Sequence, residues 1–158
     1  HRMASHFELL NNPSSVVQDR SVYEDAEIFA RNQYLQGNIS ERDYTTYREL
    51  FELFITMLNP PDLVLYLSAP VETLVHRINL RARDFESDIS SEYLEQLNGL
   101  YKEWISSFSL CPVLTVPADK LDFVDNPGHI DLIAEKINEK LHGKEEVYFA
   151  PEDIKRYL

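Results

Sequence analysis

The sequence predicts an α/β fold in which a parallel sheet is covered by helices. Short β-branched or apolar runs alternate with longer amphipathic segments, the order that lays helices over a parallel sheet. One run, "PPDLVLYLSAP" (60–70), is apolar almost throughout and bracketed by prolines, as a strand buried on both faces would be. With 158 residues, 44% of them hydrophobic and 27% charged, the chain suits one globular domain with a real core.

The chain opens as if inside a helix, with Met3, Phe7 and Leu10 at helical spacing before Asn11-Asn12-Pro13 ends it. "SSVVQ" (14–18) reads as a buried strand and leads into the polar cluster "DRSVYED". Asp25 to Tyr34 can form a helix that Gly37-Asn38 breaks, and Ser40 with Asp43 resembles a capping box opening "ERDYTTYRELFELFITMLN". In that segment Tyr44, Tyr47, Leu50, Phe51, Phe54, Ile55 and Leu58 recur at helical spacing and are expected in the core. After the 60–70 strand, Pro70 suits the first turn of a helix with a Val71, Leu74, Val75 and Ile78 stripe. "SSEYLEQLNGLYKEWISSF" forms a further amphipathic helix through Leu94, Leu97, Tyr101, Trp104 and Phe108, and "CPVLTVP" a third strand. A last helix runs from about His129 to Leu141 with Ile130, Ile133, Ile137 and Leu141 inward. "HGKEEVYFAPEDIKRYL" is expected as a mobile or partner-packed tail, which places the domain at 1–142 and the tail at 143–158.

Charge and composition exclude several function classes. A net charge of −12 disfavours a broad electrostatic grip on nucleic acid or anionic lipid. Cys111 stands alone and the five histidines lack ligand spacing, so neither a disulfide nor a Cys-based metal site is expected, and the setting reads as reducing and cytoplasmic. No apolar run approaches the roughly 20 residues of a membrane span, and the start lacks signal-peptide character.

Against that acidic background, "RINLRARDFE" (77–86) crowds Arg77, Arg81 and Arg83 together. Arg77 and Arg81 lie four apart on one flank of their helix while Arg83 points elsewhere, so the three converge on a ligand only if the segment bends. Cations in a last helical turn also favour the helix dipole and need no ligand. The alternative is a phosphate clamp, since guanidinium forks bind phosphate oxygens bidentately. "DRSVYED" leaves a strand directly, where ligands bind in parallel sheets: Asp19 can hold a divalent cation or a hydroxyl, Arg20 can neutralise a phosphoryl oxygen, and Glu24 or Asp25 can accept from an amino group. A turn explains Asp19 and Ser21 equally well. In "DKLDFVDNP" (119–127), Asp122 and Phe123 offer an edge and a face to a flat heterocycle, although such loops are commonplace.

Taken together, "QDRSVYEDAEIFARNQY", "PPDLVLYLSAPVETLVHRINLRARDFE" and "DKLDF" resemble, in order and spacing, the [ED]RS segment, the strand, helix and arginine-rich lid, and the adenine-side loop of the deoxynucleoside kinases. The resemblance runs from about Ser15 to Phe123. It implies a P-loop-kinase-like three-layer fold and transfer of the ATP γ-phosphoryl group to the 5′-hydroxyl of a deoxynucleoside, with Mg²⁺ bridging phosphates. By matched position it implies that Asp19, in place of the commoner Glu, is a Mg²⁺-side carboxylate and that Arg20 contacts the region of the 5′-hydroxyl and phosphates. Asp25 would read the base, with Arg2 as a further match favouring purines, and Glu86 would bind the sugar 3′-hydroxyl. Arg77, Arg81 and Arg83 would be lid residues on the phosphates, with Arg81 stacking on adenine opposite Phe123 beside Asp122. A homodimer through the long helix at 41–58 is also implied; its aromatics suit ordinary core equally well.

One departure stands out: the four glycines form no G-x-x-x-x-G-K-[ST] loop. The P-loop strand and helix, the general-base Glu and the base-pairing Gln of the family are expected upstream of His1, and the 158 residues alone are expected to be inactive. A catalytically silent relative serving as a structural or regulatory subunit, and a different P-loop kinase acting on nucleotides, are the competing readings.

Overall fold

A computed structural model describes residues 8–9, 13–83, 86 and 88–157. The chain divides into two compact units, one built from the residues up to Pro60 together with Gln96–Ser106, the other from Pro61–Glu95 together with the residues from Ser107 onward. The start of the chain, including Arg2 and most of the expected first helix, lies outside the described residues.

The first unit is helical. Its leading rod runs as α1 (Val22–Glu24), a π-helical stretch (Asp25–Ala30) and α2 (Arg31–Leu35). Ser21 enters in an extended conformation and its backbone N–H donates to Glu24 Oε2 at 2.6 Å, satisfying a donor that the first turn leaves free. Val22, Tyr23, Ala26, Ile28 and Asn32 are buried. α3 (Glu41–Ile55) starts as its capping pair predicts, with Ser40 Oγ accepting from the Asp43 N–H at 3.2 Å. The Tyr23 ring meets Phe51 edge-on, and Arg48 Nη1 donates to Glu27 Oε1 at 2.6 Å, tying α3 to the rod. Residues 96–106 of α5 (Ser91–Ser107) add buried Leu100 and Trp104, with Arg31 donating to Glu103 and Tyr101 to Glu24.

Two sequence expectations fail in this unit. "SSVVQ" takes no strand conformation and is exposed, Val17 at 98%. β-branched residues favour a strand only beside a neighbour that completes the ladder, and among the described residues the sheet has two strands, both in the other unit. On α3, Phe51 is buried, as is Leu58 just beyond the helix, whereas Tyr47, Leu50 and Phe54 are exposed. Helical spacing identifies a face but not what covers it.

The second unit carries the sheet. β1 (Val64–Ser68) pairs in parallel with β2 (Val113–Pro117), Val64 opposite Val113 and Ser68 opposite Pro117. β1 is not buried on both faces: Leu65 and Leu67 are exposed, so only its other face meets protein. β2 supplies Leu114 and Val116, which with Leu121 and Leu132 form a fully buried cluster. Pro70 caps α4 (Val71–Arg81), whose Val71, Leu74, Val75 and Ile78 stripe is half-buried.

α6 (Gly128–Leu141) lies where expected but is rotated. Ile130 and Leu141 are exposed, while His129, Leu132 and Lys136 are buried. A purely apolar count misses this because Lys136 is amphipathic: its stem is covered while its ammonium reaches Glu139 at 3.5 Å and Asp153 at 3.4 Å. From the segment expected as a tail, Val147, Phe149, Ile154 and Tyr157 pack on the buried cluster, the latter two on or beside α7 (Pro151–Arg156).

Candidate functional site

The arginine-rich segment gains its shape at Ala82. This non-glycine residue adopts φ 44° and ψ 45°, and its N–H is shared between the Ile78 and Asn79 carbonyls, ending α4 in a left-handed cap. On either side of this cap, Arg81 and Arg83 bracket one carboxylate. Arg81 Nη2 lies 3.1 Å from Glu86 Oε2 and Arg83 Nη1 3.4 Å from Glu86 Oε1. The Arg81 contact is an ion pair without hydrogen-bond alignment. The glutamate side chain is 12% exposed and both arginines are about half exposed, which leaves cationic surface facing solvent over a covered counterion. Sequence spacing sent Arg83 elsewhere because it assumed a continuing helix. Two of the three arginines meet there; Arg77 does not.

Arg77 is held differently. Its Nη2 donates to the Ala118 carbonyl at 2.6 Å, at the exit of β2. There the Asp122 carboxylate accepts from the Val124 and Asp125 N–H groups at 3.0 and 3.2 Å. Those backbone bonds, with smaller help from Arg77 and His129, hold the Asp122 carboxyl below its ordinary range. His129 Nδ1 donates to the Asp122 carbonyl oxygen at 3.0 Å, which fixes the protonated nitrogen because a carbonyl can only accept. An open cavity of about 430 Å³ lies here, lined by Glu72, Thr73, His76, Arg77, Leu80, Asp119 and Asp122. It brings two residues named from sequence, Arg77 and Asp122, to one surface. Phe123, also named from sequence, follows Asp122 and is half-exposed. Thr73, His76 and Leu80 were missed, although their three- and four-residue spacing around Arg77 puts them on one helical face.

The first unit holds the other named residues. Asp19 and Arg20 are exposed. Arg20 adopts φ 61°, an uncommon conformation for a side chain of its size, and its guanidinium lies 5.1 Å from the Phe29 ring centroid. Phe29 was not singled out from sequence. Its position four residues after Asp25, on the rod that follows the DRS segment, is the signal that marks it. Asp25 opens the π-helical stretch, a rare geometry that recurs at functional positions. Although Tyr47 is exposed as a residue, partial desolvation raises its hydroxyl, and the Asp25 carboxylate raises it further. Glu24, an alternative to Asp25 in the sequence reading, is occupied by Ser21 and Tyr101. Among the described residues no group of three or more His, Cys, Asp or Glu side chains is arranged to hold a metal ion.

The deoxynucleoside kinase family profile matches residues 1–142. A deoxyadenosine/deoxycytidine kinase of Bacillus subtilis is 38% identical over 128 residues, which cover 80% of this chain and 59% of that protein. A deoxyadenosine kinase of Dictyostelium discoideum is 39% identical over 110 residues, covering 69% of this chain and 44% of that one. The chain thus spans roughly half the length of these relatives. Among solved structures, deoxyadenosine kinase from M. mycoides with dCMP and a flexible dCDP bound aligns with a TM-score of 0.70 at 30% identity, covering 87% of this chain and 70% of that chain. The same enzyme with bound dATP aligns with a TM-score of 0.67.

Proposed function

The chain belongs to the deoxynucleoside kinase family, and from that premise we propose that its protein transfers the γ-phosphoryl group of ATP to the 5′-hydroxyl of a purine deoxynucleoside. The observation that carries this reading is the turn at Ala82, which gathers Arg81 and Arg83 around Glu86. Two guanidinium groups with half their surface in water suit the charge that spreads over phosphoryl oxygens during transfer. The 5′-hydroxyl oxygen attacks phosphorus as its proton passes to a general base, the bond to the bridging oxygen breaks, and ADP leaves carrying the electron pair.

In this reading, phosphate oxygens draw Arg81 and Arg83 from Glu86, and the freed carboxylate accepts from the sugar 3′-hydroxyl. Arg81 and Phe123 hold adenine between them beside Asp122, and Arg77, the third lid cation, leaves the Ala118 carbonyl to meet the phosphates. Asp25 accepts from the base, and Arg20 meets the phosphates near the 5′-oxygen. Arg2 is proposed to act with Asp25 in favouring purines. A deoxyadenosine/deoxycytidine kinase and a deoxyguanosine kinase of Bacillus subtilis, at 38% and 32% identity, are compatible with that preference. Mg²⁺ would neutralise phosphate charge. The exposed carboxylate of Asp19 fits an ion that keeps most of its ligands as water and phosphate oxygens.

Because the 158 residues contain no G-x-x-x-x-G-K-[ST] segment, they are proposed to be inactive alone. The exposed Tyr47, Leu50 and Phe54 of α3 are proposed as a homodimer face, which light scattering tests. No described helix is long and apolar enough to cross a membrane; a cytoplasmic setting is part of the proposal. The decisive experiment is a deoxynucleoside panel with ATP on the full-length protein. Preferred phosphorylation of deoxyadenosine or deoxyguanosine supports the reading, thymidine preference overturns its purine part, and absence of any transfer points to a silent relative.

A further inference from the structure

The adenine-side loop is backed by residues 147–157. Leu121, immediately before Asp122, is fully buried in the cluster of Leu114, Val116 and Leu132, on which Val147, Phe149, Ile154 and Tyr157 pack. The far side of the loop is fixed to the start of α6: the Asp122 carbonyl accepts from Asn126 N–H and His129 Nδ1, and Asn126 Oδ1 accepts from Gly128 N–H. Gly128 is where Tyr157 arrives. A Cβ there would stand 2.5 Å from the Tyr157 carbonyl oxygen and 3.3 Å from Asn126 Oδ1, so the position tolerates no side chain unless Tyr157 moves. Two polar contacts hold that segment on α6, Tyr157 OH donating to Glu135 Oε2 at 2.8 Å and Lys136 pairing with Asp153 at 3.4 Å.

We infer that residues 147–157 form a strap that positions the Asp122–Phe123 loop, with Gly128 and Tyr157 as the positioning pair, and thereby sets affinity for the phosphate donor. The strap lies beyond residue 142, where the family match ends. Packing on the cluster that holds Leu121 fixes the loop from beneath, and the Gly128 contact fixes the helix start to which the loop is bonded. The donor consequence rests on the kinase reading; the mechanical part does not.

The test uses Gly128→Ala, removal of everything from residue 157 onward, and the two combined, in the full-length protein. Amide exchange at Val124 and Asp125, whose N–H groups bond Asp122, is expected to rise about tenfold in each single variant. The ATP KM is expected to rise roughly threefold or more, with the deoxynucleoside KM unchanged. Without Tyr157 the added methyl has little to strike, so the combined variant should exchange no faster than the truncated one. Unchanged exchange in a variant with native circular dichroism overturns the strap, as do fully additive effects; faster exchange with an unchanged ATP KM overturns its link to the donor. If Gly128→Ala does not fold, the truncation alone decides on the same readings. Absence of phosphorylation by the unmodified protein rejects the kinase reading instead, and the exchange rates still decide the strap.

Discussion

Replacing Ala82 with glycine tests the turn on which the arginine cluster depends. In the left-handed region a Cβ crowds the following carbonyl, at roughly 1–2 kcal/mol for an L-residue. Ala82 carries that cost at φ 44° and ψ 45°. Glycine removes it but gives the unfolded chain more freedom, which offsets about 0.5–1 kcal/mol. Residue 82 is exposed, so no lost packing enters the sum. The balance favours Ala82→Gly by on the order of 0.5–1 kcal/mol, or about 1–4 °C in Tm for a chain of this size. Valine at the same position adds a second branch at Cβ and should cost about 1 kcal/mol or more, because β-branched residues are outliers at positive φ. Urea denaturation followed by circular dichroism measures both changes. A loss of stability in Ala82→Gly, or a neutral Ala82→Val, would refute the left-handed cap and with it the convergence of Arg81 and Arg83 on Glu86.

Three further outcomes follow from the same geometry. Leu121→Ala should lose about 3 kcal/mol, within the range for a fully buried leucine, while Val124→Ala at an 83% exposed position should stay within about 0.5 kcal/mol; equal losses in a denaturation titration would contradict the placement of the loop. Arg81→Ala in the full-length protein should lower kcat with the deoxynucleoside KM little changed, since a phosphate-facing cation acts chiefly on transition-state charge; steady-state kinetics showing only a raised KM would count against that role. Asp122 has its folded-state pKa depressed by the Asp125 and Val124 N–H groups, so its contribution to stability is present above the unfolded carboxylate pKa near 4 and is lost as pH falls through the lower folded value. Asp122→Asn should therefore flatten the acid limb of the stability profile, and an unchanged limb would show that those backbone bonds do not form in solution.

Sequence alone determined the local events. Ser40 and Asp43 fix the start of α3 because a hydroxyl three residues before a free N–H needs no tertiary partner. Pro70 stands one residue before the first turn, as the extended N-cap of α4, which is a similarly local event. The alternation of apolar runs with amphipathic segments set the α/β class, and the DRS, arginine-rich and DKLDF segments carried the family. Tertiary structure decided what covers each face. "SSVVQ" has strand chemistry but no neighbouring strand among the described residues, β1 buries one face where its composition suggested two, and α6 turns Lys136 inward because Glu139 and Asp153 meet its ammonium. It also decided the shape of the site. Periodicity extends a helix until a residue known to break it, and nothing in the letter Ala at position 82 announces a left-handed turn. Arg77 bonding the Ala118 carbonyl and Tyr157 closing on Gly128 join residues 41 and 29 positions apart; such contacts follow from how elements pack, which local propensity does not encode.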